Sequence, residues 1–184
     1  RIGDEIVISH PSIETVSHVL ENKDDRLVIH VEDTQEVKKS SVSKDRISKE
    51  FTALIDSAKG VYKSNAKKGV DFVTKSLLLS KNLTNKQEAT SYEVLGDIYL
   101  YWKQYDLAIS NFKRSLQQQQ TARVQLRLAK CYFKSKAYKS AILMYDSINS
   151  NQLSNWEKVI LNEELGDVYS AKKEYATAEK FYNK

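Results

Sequence analysis

Three kinds of side chain in this sequence have types and spacings that could do chemistry: histidines, one cysteine, and carboxylates set beside glycines. His10, His18 and His30 could act as bases or metal ligands. All three fall in the first thirty residues, and none stands at metal-ligand spacing from a cysteine or carboxylate. Cys131 could be a nucleophile, but it sits beside Tyr132 in a stretch with helical apolar spacing and reads as a small core residue. Asp97 and Asp167 follow Gly96 and Gly166 in "LGDIYLYWKQYDLAISNF" and "LGDVYSAKKEYATAEKFY". Two carboxylates brought together could run acid–base catalysis. No glycine-rich phosphate loop or nucleophile elbow accompanies them. The expectation is no catalytic residue, no cofactor and no metal.

The elements that would position those aspartates repeat. One unit has Leu95, Gly96, Tyr99, Tyr105, Ala108 and Phe112; a second has Leu128, Ala129, Tyr132, Tyr138, Ala141 and Tyr145; a third has Leu165, Gly166, Tyr169, Tyr175, Ala178 and Tyr182. Spacings within the units are identical, and the step between units is 33 and then 37 residues. Two helices approach closely only where one lacks a bulky side chain, so small and aromatic residues in fixed alternation form a packing code. A glycine inside a helix costs about 1 kcal/mol against alanine, which demands a packing reason for two at one repeat position.

This pattern resembles the tetratricopeptide repeat, a 34-residue helix–turn–helix, over residues 89–184. The family's usual proline after the second helix is replaced in the first unit by "QQQQ". The resemblance implies a mostly α protein, a helical-hairpin solenoid. It also implies a concave groove lined by the first helix of each unit. Carried over position by position, the groove residues are Glu93, Asp97, Leu100 and Tyr101, then Arg123, Leu126, Lys130, Phe133 and Lys134, then Glu163 and Asp167. In some members a lysine and asparagine, then a lysine and arginine, clamp the C-terminal carboxylates of chaperones. Here Glu93, Asp97, Ile160 and Glu164 hold those places, so a chaperone tail is not expected.

Upstream the chain changes character. Residues 1–40 hold 5 Lys and Arg against 9 Asp and Glu, a net −4, whereas residues 41–184 carry +9. "DEIVIS" and "RLVIHVED" read as strands flanking a short helix in "PSIETVSHVLEN". That order is similar to the second half of a PDZ domain; a β-hairpin-like arm is the alternative. The expected organisation is a strand–helix–strand segment at 1–34 and a polar linker at 35–42. A helical hairpin, a degenerate repeat, follows at 43–82, where Ile47, Phe51, Leu54, Ile55, Ala58 and Val61 recur at helical spacing.

The chain is 41% hydrophobic and 29% charged, with one proline and no apolar run of membrane-spanning length. The lone cysteine suits a reducing compartment, cytoplasmic or nuclear. The expected function is a protein–protein scaffold or adaptor that takes a peptide or helix with basic residues in the groove, anchored on Tyr101 and Phe133. An RNA-binding helical array and the regulatory module of a larger enzyme are the alternatives. The third unit has no polar capping helix after it, which points to further repeats or to oligomerisation through that edge.

Overall fold

A computed structural model describes residues 5–10, 13–19, 34–79 and 83–184. The chain divides into two compact units, residues 1–49 and 50–184.

In the first unit, strand β1 (Glu5–His10) pairs antiparallel with β2 (Ile13–Val19), with Glu5 opposite Val19 and a register shift between Ile8 and His10. The segment expected as a helix is therefore a strand. "IETVSHV" has four β-branched residues in seven, and these favour extended backbone over a helix. The expected second strand, "RLVIHVED", lies outside the described residues. The PDZ-like order is not supported, because β1 is followed by a hairpin partner.

The linker expected at 35–42 is instead helical, part of α1 (Thr34–Val61). That stretch is polar but holds good helix formers (Gln, Glu, Lys) and neither Gly nor Pro, so nothing in it breaks a helix.

The second unit stacks antiparallel helices. After the end of α1 come α2 (Ala66–Leu78), α3 (Asn85–Tyr101), α4 (Tyr105–Gln118), α5 (Ala122–Lys134), α6 (Tyr138–Asp146), a single 3₁₀ turn at Ser150–Gln152, α7 (Asn155–Ala171) and α8 (Tyr175–Tyr182). The first helix of each of the three later pairs has a side-chain N-cap: Thr84 and Ser154 form full capping boxes with Gln87 and Glu157, and Thr121 accepts from the Val124 amide. Helices α4, α6 and α8 have no such cap, because a tight turn launches them.

That turn recurs three times. Lys103, Lys136 and Lys173 have φ of 60°, 65° and 65°. In the first copy the Gln104 amide donates to the Tyr99 carbonyl at 2.8 Å and the Lys103 amide to Leu100 at 3.0 Å. The same two bonds close the turns at Ala137 and Glu174. This is the Schellman arrangement, which satisfies carbonyls that a helix end leaves open.

The packing code operates as read. A Cβ added to Gly96 would lie 2.5–2.7 Å from ring carbons of Phe112, and one at Gly166 would overlap the Tyr182 ring in the same way. Ala108, Ala141 and Ala178 are buried. Gly69 plays the same part in the α1–α2 pair, where its Cβ would sit 2.8 Å from that of Tyr62, while Gly60 faces open space. Phe51, Ile55, Ala58, Val73, Val94 and Ile98 fill the first core cluster; Ala108, Phe112, Val124 and Leu128 the next; Ala141, Tyr145, Leu165 and Val168 the last.

Candidate interaction groove

Helices α5 and α7 lie side by side, and Arg127 of α5 reaches across to α3. The first helices of the three pairs thus share one face, and every expected groove residue stands on them.

Glu93 and Asp97 of α3 are already engaged. Arg127 donates to Glu93 Oε1 at 2.8 Å and to Asp97 Oδ2 at 2.6 Å. Arg123 Nε stands 3.8 Å from the same Glu93 oxygen, with its side chain 63% exposed. Burial raises the Asp97 carboxyl to about 6, outweighing the opposing pull of Arg127; neighbouring Glu93 adds to the rise. These carboxylates were expected to meet a partner's Lys or Arg, but the cation comes from the next repeat.

The next junction exchanges the charges. Lys130 Nζ lies 2.7 Å from Glu164 Oε1, and the Tyr145 hydroxyl donates to Glu164 Oε2 at 2.9 Å. Burial and the facing Glu164 carboxylate push the Tyr145 hydroxyl well above the usual phenol range. In both junctions the residue two places after the repeat leucine (Asp97, Lys130) meets the residue one place before the next repeat leucine (Arg127, Glu164).

Of the expected groove residues, Leu126 is buried, and the expected anchor Phe133 is half-buried against Tyr138 with Lys134 Nζ 5.0 Å from its ring. Tyr101 is half exposed and meets Tyr62 edge-on at 5.5 Å, while Leu100 packs on the α4–α5 core. Trp102 closes this end by donating its indole N–H to the Tyr62 carbonyl at 2.8 Å. Asp167 accepts from the Tyr182 hydroxyl at 2.9 Å.

Two adjoining pockets open between α5 and α7. One, of about 290 Å³, is lined by Arg123, Leu126, Arg127, Lys130, Trp156, Glu157, Ile160 and Glu164. The other, of about 170 Å³, takes in Lys130, Phe133, Lys134, Ile160, Glu163, Glu164 and Asp167. Arg127 and Trp156 were not foreseen. Comparing charges between aligned repeats would have flagged Arg127; Trp156 lies before the repeat pattern begins in its unit and gave no periodic signal.

Cys131 is wholly buried, and burial chiefly raises its thiol to about 12, so it stays protonated and unreactive at neutral pH. Among the described residues no group of three or more His, Cys, Asp or Glu is placed to hold a metal ion, and no helix is long and apolar enough to cross a membrane.

The tetratricopeptide repeat family matches residues 89–121, which span most of α3, the Schellman turn and α4. Residues 89–121 are similar to a tetratricopeptide repeat. The α5–α6 and α7–α8 pairs reproduce this repeat's turn, small residues and interlocking aromatics. Among solved structures, the crystal structure of MamA is similar, with a TM-score of 0.60 at 16% identity, covering 84% of this chain and 93% of that one. At that identity the likeness is one of fold. No curated protein sequence matches the chain.

Proposed function

We propose that this chain is a non-enzymatic protein-interaction module, an adaptor that holds a peptide or helix of a partner on the shared face of α3, α5 and α7. One observation carries the reading. The α5–α7 pocket combines Trp156, 72% exposed, with Leu126, Ile160 and the weakly held Arg123. An exposed tryptophan beside an arginine is the composition from which binding hot spots are built.

The internal ion pairs change the chemistry expected of the partner. Glu93 and Asp97 are occupied by Arg127, so they offer little to a basic ligand. The cation with least compensation at the pocket is Arg123. The ligand that fits presents an apolar or aromatic side chain between Trp156 and Ile160, with a carboxylate beside it for Arg123. Toward Glu163 and Asp167 the face turns acidic, and there basic residues of the ligand are favoured.

The test is a quantitative pull-down from the source extract with wild type, Trp156→Ala/Arg123→Glu, and Leu143→Ala, which removes an exposed residue of α6. Proteins retained by wild type and Leu143→Ala and lost from the double variant support the groove. Equal recovery by all three refutes it.

A further inference from the structure

We infer that the end of the second unit at which each helix pair turns is a docking surface for an anionic lipid bilayer. It is a different surface from the groove of α3, α5 and α7 and does not depend on the reading of that groove.

Because successive helices run antiparallel, the α1–α2, α3–α4, α5–α6 and α7–α8 turns all fall at one end. Contacts tie the first two directly: Trp102 donates to the Tyr62 carbonyl, and Tyr101 meets the Tyr62 ring edge-on. Every turn carries exposed lysine. Lys103, Lys136 and Lys173 occupy the left-handed position of the three Schellman turns. Lys63, Lys67 and Lys68 flank the first turn, and Lys139 stands at the start of α6. Among the described residues none of these lysines is paired with a carboxylate. Two carboxylates share this end: Glu174, which Lys172 holds at 2.7 Å, and Asp106 in the first turn of α4. The α4–α5 and α6–α7 connections at the opposite end, residues 119–121 and 147–154, hold no charged residue. Much of the basic excess of residues 41–184 therefore stands at one end.

Nothing inside the fold asks for lysine at these places. Glycine is the residue favoured at the left-handed Schellman position, yet lysine stands there in all three copies. Lys67, Lys68 and Lys139 lie in first turns that hold no acidic residue, where the positive end of the helix dipole repels a cation. An anionic surface outside the fold compensates both the dipole and the crowding of like charges. The composition selects which anion, for these cations are lysines without one arginine. Arginine suits fixed, bidentate recognition of single phosphates and bases. Lysine is a hydrated point charge that needs no register, which fits a field of mobile headgroups. Tyr101, Trp102 and Tyr175, 51%, 43% and 65% exposed, stand beside the turn lysines. Aromatic rings with a polar edge settle at the headgroup level of a bilayer.

The experiment sediments the whole chain with vesicles of phosphatidylserine and phosphatidylcholine and, in parallel, of phosphatidylcholine alone. Two triple variants of equal net charge are compared. Lys103→Gly/Lys136→Gly/Lys173→Gly suits the turn backbone and keeps the fold, as circular dichroism checks. Lys86→Gln/Lys158→Gln/Lys180→Gln removes lysines toward the other ends of α3, α7 and α8. Wild type should bind the anionic vesicles, ignore phosphatidylcholine and lose binding as salt rises. The turn triple should bind about a hundredfold more weakly, and the second triple within about threefold of wild type. Equal losses in the two triples overturn the assignment, as does binding with no preference for phosphatidylserine. Labelled poly-uridine bound by wild type and lost from the turn triple, with vesicles ignored, overturns the bilayer in favour of a nucleic acid.

Discussion

Arg127 of α5 holds Asp97 of α3 at 2.6 Å, and this contact joins the first two repeats through the face expected to bind a partner. One repeat later the pairing recurs with its charges exchanged, Lys130 against Glu164 at 2.7 Å. The polar positions of the repeat thus pair charges across each junction, while the glycine, alanine and aromatic positions set how closely the helices pack.

Removing the cation should cost more than an ordinary surface pair. Arg127→Leu leaves Glu93 and Asp97 facing each other, partly buried, and should destabilise the fold by about 1.5–3 kcal/mol. The double variant Asp97→Lys/Arg127→Glu copies the orientation of the next junction and should recover at least half of that loss. Urea unfolding of Arg127→Leu, the double variant and its two single variants, Asp97→Lys and Arg127→Glu, measures both effects; a double variant equal to the sum of its singles would deny the pairing.

Asp97 also predicts a pH dependence. Its carboxyl ionises at about 6 in the fold against 3.8 ordinarily, so between those values the folded chain binds the proton more tightly than the unfolded chain. Its contribution to stability therefore falls as pH rises from about 4 to 6 and is level above that. Asp97→Asn should remove this slope from a series of thermal melts. Arg127→Leu should move it to higher pH, since the arginine lowers the raised value. A slope unchanged in Asp97→Asn would assign it to another group.

The two helical glycines should respond unequally to alanine. At Gly96 the new methyl meets the buried Phe112 ring, and overpacking should exceed the gain of about 1 kcal/mol in helix propensity. At Gly166 it meets Tyr182, which is half exposed and has room to move, so Gly166→Ala should be close to neutral. The second repeat carries Ala129 at this position with Tyr145 buried, so Phe112 has to shift rather than leave. Midpoints of thermal unfolding decide; equal losses would mean that exposure of the aromatic is irrelevant.

The three Schellman turns hold lysine where glycine is favoured. A left-handed lysine costs about 1 kcal/mol, so Lys103→Gly, Lys136→Gly and Lys173→Gly should each stabilise, partly offset by greater freedom in the unfolded chain. The triple variant should melt higher than wild type. A lower melting point would show that the lysine side chains contribute contacts of their own.

How much could be read beforehand follows from the range of the interactions. Close contacts within a helix pair, such as Gly96 on Phe112, connect residues at one fixed spacing, so repetition exposed them. Arg127 was missed because its meaning lies in a neighbour thirty residues away, visible only when charges of successive repeats are compared. Leu126 follows from its repeat position as a groove residue: it is largely buried, yet it lines the α5–α7 pocket. At the front, apolar spacing in "IETVSHV" suits a helix face, but its β-branched residues belong to a strand. Polarity at 35–42 suggests a break, but no residue there breaks a helix.

The central claim is that a partner occupies the shared face of the first helices beside Trp156. It is tested most directly by replacing Trp156 with the photocrosslinker benzoylphenylalanine, irradiating the chain in its source extract, and sequencing the attached peptide. Leu143 on α6 carries the same probe as control. The account predicts one dominant crosslinked segment from Trp156, with an acidic residue beside an apolar one and absent from the Leu143 control. Crosslinks of equal yield and identity from both positions, or none from Trp156, would contradict it.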